Sequence, residues 1–127
     1  MKQQSLALLI LRIGMCVPML THGWPKFLRI VEGNWKMSDP IGLGVHITLI
    51  LAVLSEFLAP ILIILGWKTR ILAFFPTATM FVAAFIVHSD DPWGKQELPI
   101  LYLCGFLTII LLGSGKYSIE GQISARK

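Results

Sequence analysis

Two opposite charges lie deep inside apolar runs of this chain. Glu56 sits in the middle of Leu49 to Leu65, and Arg12 occupies a comparable depth in Ser5 to Leu20. Each costs roughly 2.5 to 3.5 kcal/mol at the centre of a bilayer, so ions kept there usually pair with a partner and mark a working site. Composition agrees that these runs belong in lipid. The 127 residues are 55% hydrophobic and 14% charged, with a mean hydropathy of +0.73, far too apolar for a soluble domain of this size.

Four spans follow from the hydropathy: Ser5 to Gly23, Gly44 to Gly66, Ile71 to His88, and a shorter one from Leu98 to Leu112, each near the length that crosses a membrane. The expected fold class is all-α, an integral membrane four-helix bundle forming one domain over residues 1–127. Trp67 to Arg70 is a tight turn, so spans two and three form an antiparallel hairpin. Between spans one and two, Trp24 to Leu43 contains Pro25, Gly33, Pro40 and Gly42. Within it, Phe27, Leu28, Ile30, Val31 and Trp35 are spaced like a short interfacial helix.

Charge sorting gives an orientation. The side with both termini holds Lys2, Lys68, Arg70, Lys116, Arg126 and Lys127 against Glu120. The other side holds Lys26, Arg29, Lys36 and Lys95 against Glu32, Asp39, Asp90, Asp91 and Glu97. The positive-inside rule therefore puts both termini in the cytoplasm. The same topology accounts for the net charge of +4, which no basic run or aromatic-basic platform turns into a nucleic-acid surface. Arg12 interrupts the first apolar stretch and no small-x-small pattern precedes His22, which argues against a cleaved signal peptide.

Helical rise places Arg12 roughly 10 Å and Glu56 roughly 15 Å from the cytoplasmic ends of their spans. A long Arg side chain bridges that difference, so an Arg12–Glu56 pair inside the bundle is expected. It reads either as a structural ion pair or as a centre that binds a polar head group or relays a proton. Pro60 denies the Glu56 carbonyl its helical partner, as Pro18 does for Gly14 and Pro76 for Leu72, and three opened helices suggest a cavity. His22, His46 and His88 fall at one level near the outer boundary. They lack the spacing of a metal pair and have no cysteine beside them, so no metal site is assigned. His22 and Lys26, one turn apart if the helix continues past Pro25, are placed to meet an anionic or carbonyl group. Cys16 and Cys104 read as small buried fillers. Trp24, Trp35, Trp67 and Trp93 read as an aromatic belt, and Asp90 and Asp91 as a solvated loop.

Taken in order, Arg12-Ile13, His22-Gly23, Lys26, Glu56, Leu65-Gly66, Thr69-Arg70, His88 and Gly113-Ser114-Gly115-Lys116-Tyr117-Ser118-Ile119 resemble the DoxX family of small four-helix bacterial membrane proteins over nearly the whole chain. Two positions depart from its pattern: Ala59 and Pro60 follow Glu56 where glycines are common, and Glu120 stands where Asp is common. Family members are similar to the membrane subunit of a thiosulfate:quinone oxidoreductase. The resemblance thus implies the bacterial inner membrane and a site formed by Arg12, His22, Lys26, Glu56 and His88.

The leading expectation is a bilayer-embedded subunit of a redox system that binds a quinone or similar lipid-soluble carrier. No cofactor intrinsic to the chain is read from the sequence, so an oxidoreductase partner would carry the electrons, and a homo-oligomer is possible. The rival is a non-enzymatic transporter or assembly protein in which Arg12 and Glu56 form a switch.

Overall fold

The computed structural model describes residues 2–127. Its helices are α1 (Lys2–Val31), α2 (Val45–Leu65), α3 (Thr69–Val87), α4 (Trp93–Leu112) and a short α5 (Ile119–Ala125). The first four are long and apolar enough to cross a membrane, and no strand occurs among the described residues. The integral membrane four-helix bundle expected from the sequence is therefore the fold. Helix α1 packs on α2 and α4, and α3 packs on α4, around a core that includes Cys16, Met19, Ile63, Met80, Tyr102 and Phe106. Large apolar side chains such as Ile10, Val17, Phe74, Phe81 and Leu111 point outward, as lipid-facing positions should, because lipid rather than water is their solvent.

The boundaries depart from expectation in one consequential place. Helix α1 does not end near Gly23 but runs through Pro25 to Val31, which makes it about 45 Å long at the standard rise. Phe27 to Val31, expected to belong to a separate interfacial helix, are its last turns, and residues 32–44 make the connection to α2 with no helix of their own. Aromatic packing offsets what Pro25 removes. Phe27 stacks on Phe57 of α2 at 4.6 Å between ring centroids, and Trp24 leans on both at 5.9 Å. At the other end of the chain, α4 begins at Trp93 rather than Leu98 and so reaches full spanning length. Cys104, expected to be buried, is exposed on α4, whereas Cys16 is buried as expected.

Helix α2 is not uniformly α-helical. Leu54–Leu58 forms a π turn in which the Ala59 N–H bonds to the Leu54 carbonyl. Pro60 lies immediately beyond it and cannot donate to the Glu56 carbonyl, which removes the bond that would have kept the α register. The extra residue in this turn lets two consecutive residues, Ser55 and Glu56, both face inward and be buried. A second π turn, Ala83–Val87, ends α3 just before His88.

Both termini lie at one end of the bundle, the terminal end, and Arg12 holds that end together. Its side chain is fully buried. It donates to the carbonyls of Ile63 (3.0 Å) and Ile64 (2.7 Å) in the last turn of α2, and to the Tyr117 carbonyl in the segment after α4. A guanidinium at a helix C-terminus satisfies carbonyls of the last turn and opposes the negative end of the helix dipole; here the Ile63 carbonyl also accepts from the Gly66 N–H (2.9 Å). Gly66, at φ 76°, then turns the chain so closely that a Cβ would run into Ser118 and Arg12. Glu120 completes the joint. Its backbone N–H donates to the Gly66 carbonyl (3.1 Å), and its carboxylate accepts from the Thr69 N–H (2.9 Å) and the Ser114 hydroxyl (3.0 Å).

Removing this guanidinium takes a charge-assisted donor from three carbonyls, of which only that of Ile63 keeps a backbone partner among the described residues, the Gly66 N–H. Arg12→Met is expected to destabilise the protein by about 3 kcal/mol, the scale of losing charge-assisted hydrogen bonds to buried groups, and to expose residues 114–127 to protease. Thermal unfolding and limited proteolysis in detergent micelles check both effects.

Candidate functional site

At the level of Glu56, the residue that α1 presents is Gly23, not Arg12. A Cβ on Gly23 would collide with the Glu56 carbonyl and the Phe57 amide, so glycine is what allows the two backbones to approach here. One turn further along α1, the Lys26 ammonium forms an ion pair with Glu56. The Glu56 side chain is 5% exposed and that of Lys26 27%. The expected Arg12–Glu56 pair does not form. Arg12 lies level with Ile63 and Ile64, at least about 10 Å from Glu56 along α2, whereas the continuation of α1 past Gly23 holds Lys26 at the carboxylate. An ion pair made through a long, partly exposed Lys stem also suits this depth, since the stem can be buried while the ammonium meets its partner.

The pair forms part of the wall of a cavity of about 800 Å³. Four of the five residues singled out from the sequence, His22, Lys26, Glu56 and His88, line it, and Arg12 does not. The His22 ring stands edge-on to Tyr102, 6.1 Å between centroids. Tyr102 itself is buried and lines the same space, as does the buried Ser55 beside Glu56. His88 marks the end away from the termini, the loop end, where its Nδ1 lies 2.7 Å from the Asp91 carboxylate. That hydrogen bond, helped by the charge of Lys95, holds the Asp91 carboxyl below the usual carboxylate range. His46 does not join the other two histidines but packs on Trp35 at 4.8 Å. No group of three His, Cys, Asp or Glu side chains suited to a metal ion occurs among the described residues.

The remaining wall is mainly apolar, contributed by residues such as Met19, Leu51, Phe75, Met80, Val82 and Leu98, with Ser38, Thr48, Thr79 and Lys95 also on it. The connection after α1 forms a roof over it through Met37, Pro40, Ile41 and Leu43. Asp39 anchors that roof to the start of α2. Its carboxylate accepts from the Gly44 N–H (2.8 Å), the Thr48 hydroxyl (2.9 Å) and the Leu43 N–H (2.9 Å). These bonds, the one from Gly44 first, lower its pKa.

Sequence reasoning missed Ser55, Tyr102 and the Asp91 contact. Tyr102 left a signal, being the one tyrosine inside a predicted span, and Asp91 stands three residues after His88, within reach of it across a turn. Ser55 left none, because ordinary helical geometry turns it away from the face that Glu56 occupies, and only the π turn buries both.

Lys26→Met leaves a buried carboxylate without its cation and is expected to cost about 3 kcal/mol, most of it recovered in the double variant Lys26→Met/Glu56→Gln. A double-mutant cycle on thermal unfolding measures the coupling. For the roof, a lowered carboxyl pKa means that the anchoring is present at neutral pH and is lost as pH falls from the ordinary carboxylate value through the lowered one. Amide exchange at Leu43 and Gly44, corrected for intrinsic rates, should therefore accelerate at acidic pH, and Asp39→Asn should abolish that pH dependence.

Comparison with known proteins agrees with this architecture. The chain is 29% identical over 129 residues to inner membrane protein YqjF of Escherichia coli strain K12, covering 98% of both chains. It is 30% identical over 132 residues to an uncharacterized protein of Haemophilus influenzae, covering 95% of this chain and 93% of the relative. No solved structure matches it. The sequence profile described as DoxX matches residues 7–89, a stretch that holds Arg12, His22, Lys26, Glu56 and His88. The chain belongs to the DoxX family.

Proposed function

We propose that this protein is the membrane subunit of a redox system and that its cavity holds a lipid-soluble carrier of quinone type. The observation that carries the reading is one cavity in which apolar walls for a tail meet a cluster of polar groups suited to a ring with two carbonyls. Its volume falls within the few hundred to about 1,000 Å³ usual for small-molecule sites. The donor set fits such a ring: the Lys26 ammonium, the Ser55 and Tyr102 hydroxyls and the His22 imidazole are hydrogen-bond donors on its lining.

When bound, a quinone supplies two-electron, two-proton chemistry. The protein's own residues would orient its head and handle its protons. Glu56, held by Lys26, accepts a proton at its carboxylate, and His88, oriented by Asp91, exchanges one with water at the loop end. Electrons would come from an oxidoreductase partner. The name of the Escherichia coli relative places that protein in the inner membrane, and we place this chain there too, with both termini cytoplasmic. The six basic residues at the terminal end support that orientation.

Titration of the purified protein in nanodiscs with ubiquinone tests the reading. Glu56→Gln and His88→Ala are each expected to weaken binding about tenfold, or 1.4 kcal/mol. Unchanged affinity in both variants sinks the assigned site. Proton or solute flux through vesicles containing only this chain would favour the transporter instead.

A further inference from the structure

The cavity reaches water at one end of the bundle. Its lining includes Ser38, Pro40, Ile41 and Leu43 of the connection after α1, with Gly94 and Lys95 at the start of α4, and all six are exposed. A connection between spans and an ammonium at the start of one belong at the membrane surface, where backbone and charge find water. The roof therefore covers the cavity without sealing it. From this mouth the lining runs down to Glu56, about 16 Å along α2 from Val45 at the standard rise. The opposite direction is blocked. No lining comes from residues 2–18, 57–73 or 103–127, which build the terminal end. Between the ion pair and that end stand Cys16, Ile63, Ala73, Phe106 and Ile109, all fully buried, and with them Arg12. The guanidinium donates to carbonyls and forms an ion pair with no carboxylate among the described residues, so its fixed positive charge repels a proton approaching from that side. Phe74, Phe75 and Ala78 of α3 line the cavity and are exposed as well, but the medium beside them is hydrocarbon, in which a proton or hydrated ion has no partner.

Building on the quinone reading, we infer that the site exchanges protons with the loop end alone. A quinone that gains two electrons from the partner takes up two protons to become a quinol, and a quinol that returns the electrons releases them; in either direction both protons pass the mouth beside His88 and Lys95. Every wall of the route contributes a titratable group: His22 and Lys26 on α1, Glu56 on α2, His88 on α3, and Tyr102 and Lys95 on α4. His88 stands at the mouth, with its Nδ1 2.7 Å from the Asp91 carboxylate. Lys26, whose side chain is 27% exposed against 5% for Glu56, is the member of the ion pair that reaches toward water. Turnover at this site thus consumes or releases protons on one face of the membrane, the face that the loop end occupies.

Cysteine labelling of the full chain, in membrane vesicles of either orientation, tests the access. Thr79 lines the cavity from α3, about 15 Å from the start of that helix and so at the depth of Glu56, and Leu51 lines it from α2. Each is replaced by Cys in a Cys16→Ala/Cys104→Ala background and treated with a charged, membrane-impermeant thiosulfonate. Ser89→Cys at the loop end and Lys116→Cys at the terminal end report which end faces the reagent. Thr79→Cys and Leu51→Cys are both expected to react at least about tenfold faster when the loop end faces it, since a thiol reacts only where water and reagent reach it. Equal rates from the two ends, faster reaction from the terminal end, or no reaction from either overturns the one-sided access. The labelling uses no quinone. Failure of the unaltered protein to bind ubiquinone is therefore a separate result, which overturns the proposed carrier and leaves the access to be decided by these rates.

Discussion

A carboxylate inside a membrane protein must be answered by the protein, because lipid offers it nothing. Lys26 gives that answer to Glu56, and much of the architecture can be read as what brings the two together. Helix α1 has to continue past Pro25 so that Lys26 is held on a rigid turn. Gly23 has to lack a Cβ so that α1 and α2 can approach at the right height, and the aromatic stack of Trp24, Phe27 and Phe57 secures the extended end. Pro60 and the π turn rotate Glu56 inward with Ser55, so the ion pair faces a cavity rather than lipid.

The two ends of the bundle are built on different terms. At the terminal end, the Arg12 guanidinium, the Gly66 turn and Glu120 join α1, α2, α3 and the final segment through hydrogen bonds that leave little slack. At the loop end, α2 and α3 separate and a glycine-containing connection covers part of the top, held by a single aspartate. Stability is concentrated at one end, leaving room for a ligand at the other. That division fits the general tendency of binding regions to be drawn from the less tightly packed parts of a structure.

Much of the fold was legible in the sequence. In a membrane, apolar run length translates almost directly into helices, and the tight Trp67 to Arg70 turn left one way to connect two of them. Four of the five proposed site residues converge on one cavity, because polar residues kept in apolar runs are costly enough that they seldom lie there without a role. Arg12 shows the limit of that argument. Its cost was recognised, but its partners turned out to be three backbone carbonyls, and a sequence carries no mark of which carbonyls a helix end leaves free.

By itself, the sequence determined the number of spans, their order, the neighbours across the short turn, and the polar groups that had to be satisfied inside. Hydrophobic length and the cost of burying charge are local properties, and both can be counted along a chain. Only the tertiary structure decided which charge met which. That outcome depends on the relative height of α1 and α2, because Arg12 and Lys26 stand about 21 Å apart along α1 and only one of them can lie level with Glu56. The cavity was decided at the same level, since a gap between diverging helices belongs to their arrangement and to no single stretch of residues.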